Sequence, residues 1–570
     1  MNVWKKIGAL LVSLCLILGA APVENAGAQT ILKAEASLYD QLQEGSVSGG
    51  YYIMKVSRAE AQQRGDYQAL KRALLNAKEK ATKELPVKVV VEPGTYVIEH
   101  GLNIYSNTYL YVHDVVIKQK AGIEANLIKC GDAEDTAQGY YHSNIVIDGG
   151  VWDENGNSNT AIKFAHAKNI KWTNMMVQNC KDSHLAEVAA IDGFTVDSCV
   201  FQDQVLDVNT TSSNAAGTKT YEAIQLDILV KGHFNGYKAE ALQMKNVSIT
   251  GCTFKDLPRG VGSHTSILNC PVENIEISNN TFTNMKSRAI QILNCVGCTI
   301  ANNKITNTPQ GIMVLSYSEQ GLYLPSTLAE QGGVATQLSS DYQKPVANAK
   351  IVIKNNDIQI AGKDPYAKWE KSGIYVGGLE LDKDLKSGAE VIPAGNYYLS
   401  GVKISGNTIS GKMVGIRVKD AKKASIENNT IKNSADTKNK EYGIDVREKA
   451  SVDSVKGNKV SRSLIGIHVV ENASVNSMTG NKVTDSKKHG IFVEQNSTVK
   501  KISKNTINKT AVNGIFFLSN GSVSKAAVIT GNTIKNSGKY GIGIENSKVK
   551  KVSGNKISSA KQRDVNILNK

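Results

Sequence analysis

The stretch ISGNTISGKMVGIRVKD, residues 404–420, contains a short phrase, Gly-Ile-x followed by Val, Ile or Phe, that recurs along the C-terminal third of the chain. The Gly-Ile pairs begin at Gly415, Gly443, Gly466, Gly490, Gly514 and Gly541, so the successive spacings are 28, 23, 24, 24 and 27. Repeats of this length that consist of short β-type runs are typical of a solenoid in which each unit forms one coil. The repeat therefore predicts an all-β chain folded as a single parallel β-helix.

A second recurring position, usually asparagine, extends the coil pattern over most of the chain. It is occupied by Asn174, Cys199, Cys252, Asn280, Asn303, Asn356, Asn407, Asn429, Asn458, Asn481, Asn505, Asn532 and Asn555. Asparagine amides stacked on successive coils can bond one another, and asparagine tolerates the left-handed backbone of a tight turn. We therefore predict an inward-facing ladder in which Cys199 and Cys252 replace asparagine as buried structural residues.

Residues 1–28 have the features of a secretory signal peptide. Lys5 and Lys6 precede an apolar run at residues 7–21, and small residues at 26–28 form a cleavage site. The run is shorter than the roughly 20 residues that a transmembrane helix needs, and no later stretch is apolar enough to span a bilayer. We predict an exported, secreted protein without a membrane span, and association with a cell wall stays open.

Beyond the signal peptide, the pattern divides the chain into an N-terminal cap with the first strands (29–124), central coils with a candidate glycan groove and loops (125–346), and C-terminal repeat coils (347–570). Within the cap, Leu70, Leu74, Leu75 and Ala77 recur at helical spacing over residues 67–84. This pattern predicts an amphipathic helix. We expect the helix to cover the open end of the solenoid, where strand edges and apolar core would otherwise meet water.

The formal net charge is +15, and removal of residues 1–28 leaves +14. A positive balance favours anionic partners such as uronate polysaccharides, teichoic acids or anionic membranes. Nucleic acid is not expected for an exported chain that has no recognisable nucleic-acid module. The alternative is that lysines on exposed coil positions only keep the protein soluble. We expect a monomer.

Seven of the eight cysteines follow the signal peptide, and only Cys295 and Cys298 form a Cys-x-x-Cys pair. Without a second pair or histidines, such a pair is weak support for zinc. No metal site and no cofactor are predicted. A bound Ca²⁺ ion is expected only if the protein is a lyase.

The two-residue period of a strand sorts inward from outward positions on each coil. In the phrase that begins at Gly415, Ile416 and Val418 point inward, whereas Arg417 and Lys419 point outward. The same register in five central coils predicts a polar outward row of Lys163, Glu187, Gln225 with Asp227, His264, and Gln291, with Glu222, Arg259 and Arg288 at the strand starts. The outward residues of the C-terminal coils share no character, which favours a structural extension there.

Two long insertions, residues 228–245 and 316–346, flank this polar row. Long insertions on a regular scaffold often form functional walls or lids. The second insertion contains Tyr317, Tyr323, Pro325 and Tyr342, of which the aromatic rings suit stacking on sugars. The row and its insertions predict a polysaccharide groove.

The spacing of the carboxylates indicates a hydrolase mechanism. Glu187 and Asp227 are one coil and two residues apart, so their Cα atoms should lie roughly 8 Å from each other. That separation favours an inverting glycosidase, in which one protonated acid serves the leaving oxygen and one carboxylate activates water. We predict Glu187, Glu222, Asp227 and His264 as catalytic residues. The predicted substrate-binding residues are Lys163, Gln225, Arg259, Arg288 and Gln291.

Two other function classes stay open. In a uronate lyase, Arg259, Arg288 and Lys163 would neutralise the substrate carboxylate, and His264 would take the C5 proton. In a surface or adhesion solenoid, the same face would bind glycans without cleaving them.

The chain resembles the pectate-lyase-like superfamily of right-handed parallel β-helices over about residues 60–570. The motifs that carry this resemblance are VVVEPGTYVI (89–98), SNTYLYV (106–112), the stretch at 404–420 and VITGNTIKNSGKYGIGIEN (528–546). The resemblance implies a right-handed fold, but the superfamily contains lyases, hydrolases, epimerases and phage tailspikes. The N-terminal part is similar to polygalacturonase-type members. Their catalytic motifs are replaced by EAIQLD, GVGSHT and RAIQIL in this chain, so no catalytic residue is carried over.

Overall fold

The computed structural model describes residues 39–204, 221–229, 234–324, 348–362, 371–387, 390–434, 441–519 and 523–568. Over these ranges the chain winds into a right-handed parallel β-helix of about 17 turns, which confirms the predicted fold class. The predicted signal peptide, Pro325 and Tyr342 lie outside the described residues. No helix of the described part is both long and apolar enough to cross a bilayer.

Each coil contributes strands to three parallel sheets, and each strand pairs with its counterpart on the next coil. Two long strands, Ile162–Thr173 and Ala186–Asp197, bend from sheet 1 into sheet 2 and belong to both. The other strands of sheet 1 are Leu102–Ile104, Ile128–Cys130, Glu222–Asp227, Arg259–Gly262, Arg288–Leu293, Gln310–Leu315, Ser372–Gly377, Val414–Lys419, Tyr442–Arg447, Ile465–Val469, His489–Val493, Ile515–Leu518, Tyr540–Glu545 and Arg563–Leu568.

Sheets 2 and 3 close the coil behind sheet 1. Sheet 2 contains Tyr51–Val56, Val87–Val91, Thr108–Tyr111, His142–Asp148, Lys245–Thr250, Val272–Ser278, Cys295–Ala301, Ile351–Lys354, Val402–Ser405, Ala424–Glu427, Ser451–Lys456, Ser474–Thr479, Thr498–Ser503, Lys525–Thr530 and Lys548–Ser553. Sheet 3 contains Gly94–Ile98, Val115–Gln119, Val151–Asp153, Met176–Gln178, Val200–Gln202, Thr253–Lys255, Thr281–Thr283, Lys304–Thr308, Asp357–Ile360, Thr408–Gly411, Thr430–Asn433, Lys459–Ser461, Lys482–Ser486, Thr506–Thr510, Thr533–Ser537 and Lys556–Ser558.

Short elements lie outside the three sheets. They are the strand Val47–Ser48 beside Tyr51–Val56, the pairs Ser266–Ile267 with Leu322–Tyr323, Leu379–Leu381 with Gly395–Tyr397, Leu385–Ser387 with Glu390–Ile392, and Leu399–Ser400 with Ala421–Lys422, and the 3₁₀ turn Glu319–Gly321.

Two helices, Arg58–Arg64 and Asp66–Lys80, cap the N-terminal end; the second is the predicted helix, and the first was not predicted. The second helix begins one residue before the predicted range and ends at Lys80. Leu70 and Leu74 are buried in the main core, whereas Leu75 is exposed, so its prediction as part of the apolar face is wrong. At 3.6 residues per turn, Leu75 is rotated by about 100° from Leu74 and faces away from the coils.

The glycine of the Gly-Ile repeat is required by a close approach between coils. Gly415 and Ile416 both face the interior, because the chain turns a corner as it enters sheet 1. A Cβ atom on Gly415 would lie 2.4 Å from the carbonyl oxygen of Gly443 and 2.5 Å from Cγ2 of Ile431. The repeat signal that identifies the fold therefore marks the position where there is no room for a side chain.

The asparagine ladder is confirmed as an inward, buried column from Asn280 to Asn532. The prediction is wrong for Asn174, which is exposed, because the strand register places it level with Ser198 and not with Cys199. Asn429 donates from Nδ2 to Oδ1 of Asn458 at 3.0 Å and to the carbonyl oxygen of Ile404, and its backbone N–H donates to the same Oδ1 at 3.0 Å. Cys252 lies at the end of this column, where its N–H donates to Oδ1 of Asn280 at 2.8 Å. Cys199 and Cys252 are buried, as predicted.

One carboxyl group in the interior is expected to control stability at alkaline pH. Glu154 is fully buried against the backbone of Leu127, and burial raises its pKa to about 9. Because the native state holds this proton well above the unfolded pKa, stability falls as pH rises from about 4.5 to 9. Replacing Glu154 by glutamine should raise the free energy of unfolding at pH 8 by about 2–4 kcal/mol, as measured by urea unfolding at pH 5 and pH 8.

The neighbouring Asp153 provides the matched control. Its Oδ1 accepts hydrogen bonds from the N–H of Asn155 at 2.7 Å and from Nδ2 of Asn179 at 3.0 Å. Asp153→Asn should therefore bring no gain at pH 8. An equal gain from both substitutions would show that the effect of Glu154→Gln is a general loss of negative charge.

Candidate functional site

The predicted outward row is a column on sheet 1. Lys163 lies opposite Glu187, Glu187 opposite Gln225, Gln225 opposite Gly262, and Gly262 opposite Gln291 on successive coils. The strand register derived from the repeat thus holds in the central coils. Side chains that are far apart in sequence become neighbours on one face.

A second column forms where the strands of sheet 1 begin. Glu222 lies opposite Arg259, Arg259 opposite Arg288, and Arg288 opposite Gln310. Arg288 is buried and donates from Nε to Oε1 of Gln310 at 2.7 Å and from Nη1 to Oε1 of Gln291. The prediction placed these residues correctly at the strand starts, and the structure shows that they bond to one another.

Glu222 is the charged centre of the site. Its side chain is fully buried, with Arg259 Nη1 at 2.9 Å from Oε1 and His264 Nδ1 at 3.1 Å from Oε2. Burial raises the pKa of Glu222, but the positive charges of His264 and Arg259 outweigh it and hold the pKa below its usual value. Glu222 therefore favours the ionised form and is bonded to Arg259 and His264.

The pKa values of the two histidines beside Glu222 are shifted in opposite directions. His184 Nδ1 lies 3.0 Å from the carbonyl oxygen of Glu222, and burial lowers the pKa of His184 to about 4. Burial also acts to lower the pKa of His264, but the charge of Glu222 raises it above its usual value. The rings stack with centroids 5.9 Å apart.

His264 departs from the predicted register. It was placed in the row of Asp227, but the strand ends at Gly262 and the chain turns so that His264 lies over Glu222. Thr265 occupies the place beside Asp227 instead, and its Oγ1 donates to Oδ1 of Asp227 at 2.6 Å. The period of a strand cannot be continued beyond the last residue that pairs.

Asp227 lies at the end of the strand Glu222–Asp227 and is 2% exposed. The second insertion approaches it through Tyr323, whose short strand pairs with Ser266–Ile267. Burial raises the pKa of Tyr323, and the negative charge of Asp227 raises it further. Tyr323, Asp227 and His264 therefore lie in neighbouring stretches at the edge of sheet 1, linked by the bond of Thr265 to Asp227 and by the pairing of the two short strands.

The first insertion covers the neighbouring part of the face. Lys163 Nζ lies 3.1 Å from Oε2 of Glu187 and 4.6 Å from the ring centroid of Phe234. Phe234 and Leu229 pack on three alanines of the two long strands, Ala165, Ala189 and Ala190, in a small apolar cluster. The ion pair between Lys163 and Glu187 is thereby shielded from solvent.

Burial is the main difference from the predicted groove. Glu187 is 5% exposed and Gln225 is fully buried, whereas the side chain of His264 is 37% exposed. The predicted row is thus a charge network under loops, with His264 at its solvent edge. Loops pack on sheet 1 by contacts that the coil repeat does not encode. Thr265 and His184 are not among the predicted site residues, because neither stands in a repeated position of the sequence.

The C-terminal coils have a second buried network on the same sheet. Arg417 Nε donates to Oδ2 of Asp445 at 2.8 Å, and the ring of His468 lies between Asp445 (3.1 Å) and Glu494 (3.0 Å). These outward residues are not of one chemical type in the sequence, but they form hydrogen bonds and ion pairs with one another on successive coils.

No metal site is found among the described residues, in which no group of three or more His, Cys, Asp or Glu side chains is arranged to hold an ion. Cys295 and Cys298 are both buried thiols.

The comparisons with known proteins identify the family. The family described as right-handed beta helix region matches residues 230–379 and 391–566, and the chain belongs to it. No curated protein matches the sequence. Similar solved structures include the surface protein and adhesin PfbA of Streptococcus pneumoniae (14% identity, 88% of this chain and 95% of that chain covered, TM-score 0.36). Another is a mutant tailspike protein of E. coli bacteriophage HK620 in complex with pentasaccharide (12% identity, 87% and 76% covered, TM-score 0.45).

Proposed function

We propose that the protein is an exported, glycan-active enzyme of the pectate-lyase-like type, and that it hydrolyses glycosidic bonds at the edge of sheet 1. The observation that carries this proposal is the grouping of Asp227, His264 and Tyr323: Thr265, the residue after His264, bonds to Asp227 at 2.6 Å, and the strand of Tyr323 pairs with Ser266–Ile267. A proton donor, a proton acceptor and a stacking surface for sugar are the parts that glycoside hydrolysis needs.

In the proposed reaction, His264 is the general acid. The carboxylate of Glu222 holds Nδ1 of the ring at 3.1 Å and raises its pKa, so the protonated ring donates its proton to the leaving glycosidic oxygen. Asp227 takes a proton from the water that attacks the anomeric carbon as the C–O bond breaks. Solvent then returns a proton to His264 and removes one from Asp227.

The other predicted residues are assigned supporting roles. Glu222 and Arg259 position His264, since both are buried and bonded within the site. Glu187 and Lys163 anchor the first insertion through their ion pair beneath Phe234. These assignments reduce the four predicted catalytic residues to two that carry out the proton transfers.

Arg288, Gln291 and Gln225 complete the set of predicted substrate-binding residues. Arg288 and Gln291 are held by bonds to each other and to their neighbours, so they shape the face. The amide of Gln225 makes no hydrogen bond with any described residue, and its side chain is fully buried. We therefore assign all three residues to shaping the face and not to direct substrate contact.

A second candidate function is glycan binding without cleavage. The observation that favours it is the low exposure of Glu187 and Asp227, at 5% and 2%. Uronate lyase activity is less well supported, because Arg259 and Arg288 are committed to Glu222 and Gln310 and not directed at a substrate carboxylate.

A digestion panel of neutral and anionic polysaccharides tests the three functions. We expect new reducing ends without absorbance from an unsaturated uronate, because hydrolysis adds water across the broken bond. Products that absorb in the ultraviolet would mean that the protein is a lyase and not a hydrolase. Retention on an immobilised glycan, with no product detected by mass analysis, would mean that the protein binds glycans without cleaving them.

A further inference from the structure

The positive charge of the protein is concentrated at its C-terminal end. The segment 500–570 contains fourteen lysines and arginines against two acidic side chains, so it carries +12 of the total charge of +15. A protein whose charge served only solubility would not need such an asymmetry, and a local excess of one sign is typical of a binding surface.

Part of this charge lines a groove of about 1000 Å³ beside sheet 2. The groove is bordered by four exposed lysines, Lys500, Lys525, Lys548 and Lys550. No aspartate or glutamate is among its described lining residues.

The positive charges of these lysines repel one another unless an anion lies between them. Lys525 and Lys548 lie directly opposite each other on neighbouring coils, about 4.8 Å apart along the axis. Like charges in opposite positions of a sheet destabilise it. On sheet 1, by contrast, Arg417 lies opposite Asp445 and is neutralised by it. No such neutralising partner among the described residues lies opposite Lys525 or Lys548, and a bound anion would reduce the repulsion between them.

The floor and walls of the groove indicate the chemistry of that anion. Ala527 lies between the coils of Lys500 and Lys550 and leaves a shallow trough, and Ser519 and Ser547 add hydroxyl groups at its side. No described lining residue is aromatic, so the groove lacks a surface for stacking on sugar rings or bases. Lysines without arginine bind anions as point charges, as suits phosphate.

We propose that this groove binds a linear phosphodiester polymer of polyol units, of the teichoic-acid type. Successive phosphates in such a chain are separated by a flexible carbon unit, which lets them meet lysines on neighbouring coils or at every second residue of one strand, about 6.6 Å apart. The site is independent of the proposed hydrolase site, because the two lie on different sheets and many coils apart. It would hold the exported protein on a phosphate-rich cell wall.

The test is binding of fluorescent poly(glycerol phosphate) to the full chain, measured by anisotropy at several salt concentrations. Wild-type protein should bind, and affinity should fall as salt screens the charges. Replacing Lys500, Lys525, Lys548 and Lys550 together by glutamine should weaken binding about 10- to 100-fold. The thermal unfolding midpoint should stay equal or rise, because the substitutions remove like-charge repulsion.

A matched control removes the same charge elsewhere. Lys168, Lys304, Lys354 and Lys403 are exposed lysines outside the terminal coils, and their joint replacement by glutamine should leave binding within about 2-fold of wild type. An equal loss in this control would overturn the proposal in favour of general charge attraction. Polygalacturonate that competes equally well at matched charge would show that the groove does not distinguish phosphate from carboxylate. Neutral dextran that competes would show that binding does not depend on charge.

Discussion

Replacing Asp227 by asparagine is expected to lower kcat about 10³-fold on the glycan that the digestion panel identifies. A positioned general base contributes about 10²- to 10⁴-fold, and an amide cannot take the proton from water. The fold should persist, because an asparagine Oδ1 can still accept the hydrogen bond from Thr265 Oγ1. KM should change little, since water and not the sugar is the partner of this carboxylate. Reducing-end assays give both constants, and thermal unfolding checks the fold.

Asp192 is the matched control for this substitution. It lies on a strand of the same central coils, but its Oδ1 accepts a hydrogen bond from Nδ2 of Asn246 on sheet 2, away from the proposed site. Asp192→Asn should leave kcat unchanged. Wild-type kcat in Asp227→Asn, or an equal loss in Asp192→Asn, would remove Asp227 from the mechanism.

Glu222→Gln separates a positioning role from a catalytic one. The charge of Glu222 raises the pKa of His264, so activity that needs protonated His264 is present at low pH and is lost as pH rises through that pKa. Without the charge, the pKa of His264 falls and the alkaline limb of the pH–rate profile should move to lower pH. A uniform loss of activity with an unmoved profile would mean that Glu222 acts on structure alone.

Replacing Asn458 by alanine is expected to lower the free energy of unfolding by about 3–5 kcal/mol. The fully buried side chain donates to the carbonyl oxygen of Ile426 at 2.8 Å and to Oδ1 of Asn481 at 2.9 Å, and its Oδ1 accepts both the N–H and the Nδ2 of Asn429 at 3.0 Å. Alanine would leave several buried polar groups without partners, and each costs about 1–3 kcal/mol. Urea unfolding with hydrogen exchange at the neighbouring coils measures the loss.

An asparagine on the outer surface of the same coils controls for the residue type. Asn476 donates from Nδ2 to Oδ1 of Asp453 at 2.9 Å in an exposed position. Because water can replace this bond, Asn476→Ala should cost less than about 1 kcal/mol. If Asn458→Ala cost no more than this control, the ladder would not be a source of stability. Exchange confined to one or two coils would fit the nearest-neighbour cooperativity of solenoids.

The candidate site was predictable only as far as its residues follow the repeat. Glu187 and Gln225 were placed correctly because they lie within paired strands, where alternation sets the direction of each side chain. His264 was placed wrongly beside Asp227 because it follows the end of a strand. The hydrogen bond between Glu222 and His264, on which the proposed general acid depends, cannot be predicted from any repeat spacing in the sequence.

The amino-acid sequence alone determined the coil repeat, the buried asparagine column, the capping helix and the face on which the polar residues of the central coils lie. These features are local or periodic, and each coil imposes its register on the next through backbone pairing. Only the tertiary structure decided how far the carboxylates are buried, in which direction the pKa of each histidine shifts, and where the terminal lysines border a groove. Those properties depend on loops that pack across coils, and their contacts join residues at distances in sequence that no repeat specifies.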